Sequence, residues 1–283
     1  MMILLPQDNY YKVTEQLNAI TINRLFALSV AKQHVTGWIY TDNIDTPHTF
    51  YVVHPYGMTL LAGSPDHDTF NDNLVNYLLN RDKTRNKTEW MQVFPDEWNI
   101  RLIDLLGDNL TKKKVRGIKK ETEGIEIGGK IIENTRVNFR FDPVRYQVLR
   151  SNLELNQYQI VRTNRQIFNS MSGSVVPRYF WDNASQFLQR GIGFTLMQDG
   201  KPASTAYSAY FHPPLLELGI ETLEAYRGRG FALYVCAVLI DYCLENGYEP
   251  VWSCRFENTA SYMLAQKLGF EPILYIPYYM INC

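Results

Sequence analysis

The chain has 283 residues, 46% of them hydrophobic, and a formal net charge of −1. That length is comfortable for two domains, and the near-neutral charge gives no bulk attraction to nucleic acid or to an anionic membrane. There is no run of about 18 apolar residues, and the opening MMILLPQDNYYK lacks the basic flank and long apolar centre of a signal peptide, so a cytoplasmic protein with no membrane span is expected.

In chain order, residues 10–34 carry Leu17, Ile20, Leu25, Leu28 and Val30 at roughly helical spacing. GWIYTDN (37–43) and TFYVVHPYGMTLLAG (49–63) are rich in aromatic and β-branched residues and read as strands. SPDHDTFNDNLVNYLLNRD (64–82) opens with capping residues and continues as an amphipathic helix. EWMQVFPDEW (89–98) reads as strand and turn, and NIRLIDLLGDNL (99–110) as a short helix. Residues 111–130 are charged and contain four glycines. Their basic cluster (Lys112, Lys113, Lys114, Arg116, Lys119, Lys120) is followed at once by Glu121, Glu123 and Glu126, and reads as solvated surface without a nucleic-acid-binding motif. A domain boundary is expected near here, giving an N-terminal α+β domain of residues 1–135 and a C-terminal domain of residues 136–283.

The second domain is more regular. YQIVRTN (158–164) reads as a strand, and RQIFNSM (165–171) and WDNASQFLQRG (181–191) as short helices, the latter closed by Gly191. In GFTLMQDGKPASTAYSAYF (193–211), two apolar runs flank Asp199-Gly200, a strong hairpin signal. LLELGIET (215–222) is a further strand, and RGRGFALYVCAVLIDYCLENG (227–247) a long helix closed by Gly247. EPVWSC (249–254) is a strand, NTASYMLAQKLG (258–269) a helix with Asn258 as N-cap, and FEPILYIPYYMIN (270–282) the last strand.

The RGRG turn carries the chemistry. It follows a strand and opens a helix, where several backbone N–H groups lack intrahelical partners and the helix dipole favours an anion. Gly228 and Gly230 remove side chains that would block close approach, so the turn is suited to a pyrophosphate. Glycine–arginine turns that bind nothing also precede many helices. A dinucleotide-binding reading fails, because Leu233 stands where a third glycine belongs and an antiparallel hairpin precedes the turn. The four cysteines (Cys236, Cys243, Cys254, Cys283) fit neither a zinc ribbon nor a CxxC pair, and the five histidines are scattered, so reduced thiols and no metal are expected.

Arg227, Gly230 and Ala232 fall in register with Arg/Gln-x-x-Gly-x-Gly/Ala, and the chain resembles the GNAT acetyltransferase superfamily. NTASYMLAQKLGFEP (258–272) resembles that family's helix ending in Leu-Gly-Phe before the last strand. FWDNASQFLQRGIGF, ELGIETLEAYRGRGFA and VWSC resemble the branch containing the zwittermicin A resistance acetyltransferases. The resemblance implies an α/β GNAT fold, a mixed but mostly antiparallel sheet with flanking helices, preceded by a smaller α+β domain that is a degenerate GNAT-like half. It implies acetyl-CoA as co-substrate. Its pyrophosphate would lie on the backbone of Gly228, Arg229, Gly230, Phe231 and Ala232, assisted by Arg227. Its pantetheine arm would pair with the backbone at Ile220 and Thr222, and Asn258 would reach it from the next helix. A splayed strand end would offer an N–H to developing oxyanion charge.

For a general base the candidates are Glu217 and Glu221, which strand alternation puts on one face with Gly219. Many GNAT enzymes have a tyrosine four residues before the glycine of Leu-Gly-Phe as general acid; here Ala265 stands there, with Tyr262 one turn away. Tyr158, Trp181, Tyr207, Tyr210 and Trp252 are candidates for an aromatic-walled cleft. The resemblance implies acetyl transfer to a primary amine of a small molecule in a ternary complex, the alternative being a GNAT-fold protein that binds CoA or acyl-CoA as a sensor or scaffold. No nucleic-acid or membrane partner is expected, and monomer and homodimer stay open.

Overall fold

The computed structural model describes residues 1–112 and 131–283. The basic cluster of 113–120 and the acidic residues after it lie outside them; Lys112, at their edge, sits 3.8 Å from Glu133. The chain divides into two units, residues 1–136 with Ile276–Cys283, and Val137–Tyr275.

The first unit contains β1 (Ile3–Leu4), α1 (Tyr11–Ala19), α2 (Leu25–Ala31), β2 (Trp38–Thr41), β3 (Thr49–Val53), β4 (Met58–Gly63), α3 (Asp68–Leu78), β5 (Glu89–Phe94), α4 (Glu97–Leu106), β6 (Leu110–Lys112) and the first half of β7 (Ile131–Phe141). The helical stretch at 10–34 is thus two helices. Ile20 turns extended (ψ 131) and ends α1, while Asn23 Oδ1 accepts from Leu25 N at 3.1 Å to start α2. β1 to β4 form an antiparallel run, β5 adds parallel to β4, and residues 279–281 pair antiparallel with 89–91. α3 and α4 bury Phe70, Leu74, Trp98 and Leu102 against Tyr51, Leu61, Met91 and Ile281. Arg85, 7% exposed, donates to the carbonyls of Tyr77, Leu78, Ile281 and Asn282, among others, and so pins the chain's last residues into this unit.

The second unit continues with α5 (Pro143–Arg150), β8 (Gln159–Arg162), α6 (Arg165–Ser170), α7 (Ala184–Arg190), β9 (Gly193–Gln198), β10 (Lys201–His212), β11 (Leu215–Thr222), α8 (Phe231–Glu245), β12 (Glu249–Val251), β13 (Ser253–Arg255), α9 (Thr259–Lys267) and β14 (Phe270–Ile281), whose far end belongs to the first unit. Asp142 caps the start of α5, its Oδ1 accepting from Val144 N and Arg145 N. The sheet order is β12-β11-β10-β9-β8. Asp199 (φ 51) and Gly200 (φ 72) are the two left-handed residues that fit a two-residue hairpin between β9 and β10.

α8 is apolar on most sides because it is covered: Val235, Leu239, Ile240 and Cys243 pack with Leu216 and Leu218 of β11 and Ala206 of β10. The opposite face of the sheet carries Tyr207 and Tyr210, both meeting the ring of Phe180 edge-on, at 5.6 and 5.5 Å. Two residues three apart share a face here because the β10–β11 register shifts between Ser208 and Tyr210.

Candidate active site

After β11 the chain makes one 3-10 turn (Glu224–Tyr226), Arg227 is extended, and Gly228 and Gly230 each take φ +80 before α8 begins at Phe231. A Cβ on either glycine would meet no atom of the described residues within 4 Å. The left-handed backbone therefore demands glycine, while the space above the helix start is open. Among the described residues no side chain caps α8, and residues 227–230 are exposed. The first-turn N–H groups of a 15-residue helix thus face a place that an anion can enter. The turn is braced from below. Phe231 is buried, with the rings of Tyr158 and Tyr226 at 5.5 and 6.2 Å, and the Arg229 guanidinium lies 5.5 Å from the centre of the Tyr226 ring. Arg227 is turned back toward the strand: its Nε donates to Thr222 O at 3.0 Å and its Nη2 to Glu221 Oε1 at 3.2 Å.

The strand before the turn has an open edge. β12 pairs parallel with β11 only from Leu215↔Glu249 to Glu217↔Val251. Trp252 then leaves: its carbonyl accepts from Phe139 N at 3.2 Å, and β13 lies beside β7 instead. The stretch EPVWSC, expected as one strand, is two short ones with a change of partner between them. Which backbone groups face the gap follows from two bonds. Leu223 N donates to Ala203 O on the β10 side, and Pro214 O accepts from Glu249 N on the β12 side. Alternation then directs the backbones of Leu218, Ile220 and Thr222 into the gap. Ile220 and Thr222 are the positions singled out in the sequence, although the Thr222 carbonyl is already held by Arg227.

The two candidate carboxylates lie on the sheet face opposite α8, with Gly219 between them across from Tyr207. A Cβ on Gly219 would stand 2.5 Å from the Tyr207 ring, so glycine there makes room for that ring. Glu217, 4% exposed, sits where β11 and β12 part, and its Oε1 accepts from Ser253 Oγ at 2.7 Å. Glu221, 6% exposed, is engaged on both oxygens: Oε2 accepts from Ser174 N at 2.8 Å and Val175 N at 2.9 Å, and Oε1 from Arg227. The structure thus brings Glu217 to the apex of the gap and commits Glu221 to a loop. Ser253 had no signal in the sequence beyond its place in the strand after the long helix.

Asn258 caps α9, its Oδ1 accepting from Ser261 N at 3.2 Å, and is exposed. Ala265 is wholly buried. The Tyr262 hydroxyl shares a 2.9 Å hydrogen bond with that of Tyr275, and this bond pushes the Tyr275 pKa up to about 12. The five aromatics proposed as a cleft wall do not form one. Trp181, Tyr207, Tyr210 and Trp252 are buried in core, Trp181 donating to Ser208 O and Trp252 to Ser261 Oγ, while Tyr158 packs on Phe231 and Tyr234.

The first unit repeats the strand order without the openings. Its β2-β3-β4, α3 and β5 follow one another as β9-β10-β11, α8 and β12 do. There the parallel pair stays zipped from Met58↔Trp90 to Ala62↔Phe94, and His67 caps the helix, its Nδ1 accepting from Phe70 N at 3.1 Å. Among the described residues, no cluster of three or more His, Cys, Asp or Glu has metal-binding geometry, and no helix is long and apolar enough to cross a membrane.

A family model described as GNAT acetyltransferase matches residues 19–278. The Bacillus subtilis (strain 168) protein named "Uncharacterized N-acetyltransferase YdfB" is 27% identical over 258 residues, covering 90% of this chain and 89% of its own. A GCN5-related N-acetyltransferase-like protein from Streptococcus suis 89/1591 aligns over 97% of this chain and 99% of its own, with TM-score 0.67 and 19% identity. A tandem GNAT protein from the clavulanic acid biosynthesis pathway aligns over 99% and 97%, with TM-score 0.56 and 9% identity. At these identities the two structures show a shared fold, in one case that of a tandem protein. With a family model spanning nearly the whole chain, and the gap and turn of its second unit in place, this protein belongs to the GNAT acetyltransferases.

Proposed function

We propose that the protein moves an acetyl group from acetyl-CoA to a primary amine of a small molecule, directly within a ternary complex, using the domain of residues 136–283. One observation carries this reading: β11 loses its parallel neighbour immediately after Glu217 and ends in an uncapped, open Gly228–Gly230 turn. A ligand with a long amide-bearing arm and a pyrophosphate fits that combination. The backbones of Ile220 and Thr222 would pair with the arm, and the N–H groups of Gly228 to Ala232 would hold the pyrophosphate, with Asn258 approaching from α9. Acetyl-CoA supplies the activated acyl group and a thiolate leaving group.

Glu217 is the base in this reading. It is buried at the apex of the gap, where the Ser253 hydroxyl orients its carboxylate to take a proton from the ammonium form of the acceptor. Glu221, which holds the backbone of Ser174 and Val175 and the Arg227 guanidinium, is assigned an anchoring role. The acid position is a buried alanine and Tyr262 is tied to Tyr275, so no side chain is assigned to protonate the departing thiolate. The resemblance to the zwittermicin A resistance branch favours amine-bearing antibiotics among acceptors. Four free cysteines suit a reducing cytoplasm.

The test is calorimetric titration with acetyl-CoA, followed by thiol release against a panel of amines that includes amine-bearing antibiotics. Binding with acceptor-dependent release is expected. Binding without release from any amine would favour a sensor or scaffold, and no binding would overturn the proposal.

A further inference from the structure

The segment between α6 and Pro177 is tied to the turn through one side chain. Its ends are buried: Met171 and Val176 pack with Ile167. Between them Ser172, Gly173 and Ser174 are exposed, yet the loop does not float, because Glu221 Oε2 accepts from Ser174 N at 2.8 Å and Val175 N at 2.9 Å, with Ser174 Oγ at 3.4 Å. Gly173 lies so near that a Cβ there would stand 2.6 Å from the Glu221 side chain. The other oxygen of the same carboxylate meets Arg227, which is the first residue of the turn motif, and whose side chain is 61% exposed. A continuous chain of contacts therefore runs from Ser174 and Val175 through Glu221 and Arg227 to the backbone of Gly228. Glu221, which holds the loop, and Glu217 lie on the same sheet face, opposite α8, with the loop held four residues further along β11, toward the turn.

We propose that Glu221 is a positioning residue that couples occupancy of the Gly228–Ala232 turn to ordering of loop 172–175, so that CoA binding builds one wall of the acceptor site. The inference rests on the turn being the pyrophosphate site. The most exposed link is Arg227, whose Nη2 meets Glu221 and whose Nε meets the Thr222 carbonyl while 61% of its side chain stays in solvent. A pyrophosphate on the neighbouring backbone pins the guanidinium between two anions. That fixes the carboxylate, and the carboxylate fixes the two loop N–H groups. The acceptor then meets a formed wall only after the cofactor has bound.

The experiment is amide hydrogen exchange at Ser174 and Val175 in the full chain, with and without saturating CoA, beside calorimetric titration of the same samples. Exchange should slow by about fivefold or more on CoA binding, in the range of ordinary coupling between sites. In Glu221→Gln, CoA should still bind while that slowing is lost. Gly173→Ala, which strains a left-handed position (φ +137) and whose methyl group displaces the carboxylate without removing it, should behave likewise and stands in if Glu221→Gln does not fold. CoA binding that leaves the two amides unchanged in the wild type overturns the coupling alone. Slowing that survives in Glu221→Gln or in Gly173→Ala also overturns it, since another contact then carries the effect. No CoA binding by the wild type removes the turn assignment and the coupling together.

Discussion

Gly230→Ala and Gly247→Ala impose the same backbone change at opposite ends of α8. Gly230 has φ +80 and Gly247 φ +71, and at neither would a Cβ meet an atom of the described residues within 4 Å. A left-handed residue other than glycine costs roughly 1–2 kcal/mol, and the stiffer unfolded chain offsets about 0.4–1 kcal/mol of that. Both variants should therefore lose stability by a similar amount, about 1 kcal/mol, read as matching shifts in urea midpoint at constant slope. Only Gly230→Ala places its methyl group over the uncapped first turn. Losing one hydrogen bond from that turn to a charged phosphate oxygen costs roughly 1.5–3 kcal/mol, so CoA affinity should fall on the order of 10- to 100-fold. Gly247→Ala should bind CoA as the wild type does. The reasoning is refuted if Gly230→Ala keeps wild-type affinity, or if Gly247→Ala loses affinity to the same extent, since the loss would then come from a weakened helix and not from a blocked turn.

Gly219→Ala should cost about 1–3 kcal/mol by overpacking, because the new methyl group meets ring atoms of the wholly buried Tyr207 at 2.5–2.9 Å; denaturant titration showing no loss would mean that the ring is free to move. His54 is fully buried, and its neutral Nδ1 accepts from Tyr56 N at 3.1 Å; burial, with Lys87 adding to it, pushes its pKa from 6.5 down to about 3. The unfolded chain takes up a proton near pH 6.5 and the folded chain does not until about 3, so stability is full above 6.5 and is lost as pH falls. From pH 7.5 to pH 5 this one group should remove about 2 kcal/mol. Urea midpoints at the two values should show that loss in the wild type and much less of it in His54→Asn; equal losses in both would count against a neutral buried imidazole.

What could be read from the sequence was what local chemistry settles. Asp199-Gly200 tolerates the left-handed backbone that a two-residue hairpin needs, and the hairpin lies there. Asn258 sits before a helix and caps it, and the two glycines before α8 are left-handed. The parts that escaped depend on distant partners. Trp252 leaves β12 for Phe139, more than a hundred positions earlier in the chain, and no pattern within EPVWSC marks that departure. Alternation put Glu217 and Glu221 on one face, as found, but their different surroundings are set by Ser253 on one side and by the loop at Ser174 and Val175 on the other. Tyr207 and Tyr210 share a face only because of a register shift that their spacing hides. The aromatic wall failed for the same reason: composition names the rings without saying which layer takes them. β7 and α5 were not marked in the sequence at all, the first standing directly after the uninformative charged stretch.

The assignment of Glu217 as base is tested most directly by the turnover number of Glu217→Gln with acetyl-CoA and an amine that supports thiol release by the wild type. The amide keeps an oxygen to accept from Ser253 and cannot take the acceptor's proton. Turnover should fall by about 10²- to 10⁴-fold, with CoA affinity unchanged. Turnover close to that of the wild type would contradict the assignment and leave the gap between β11 and β12 without a base.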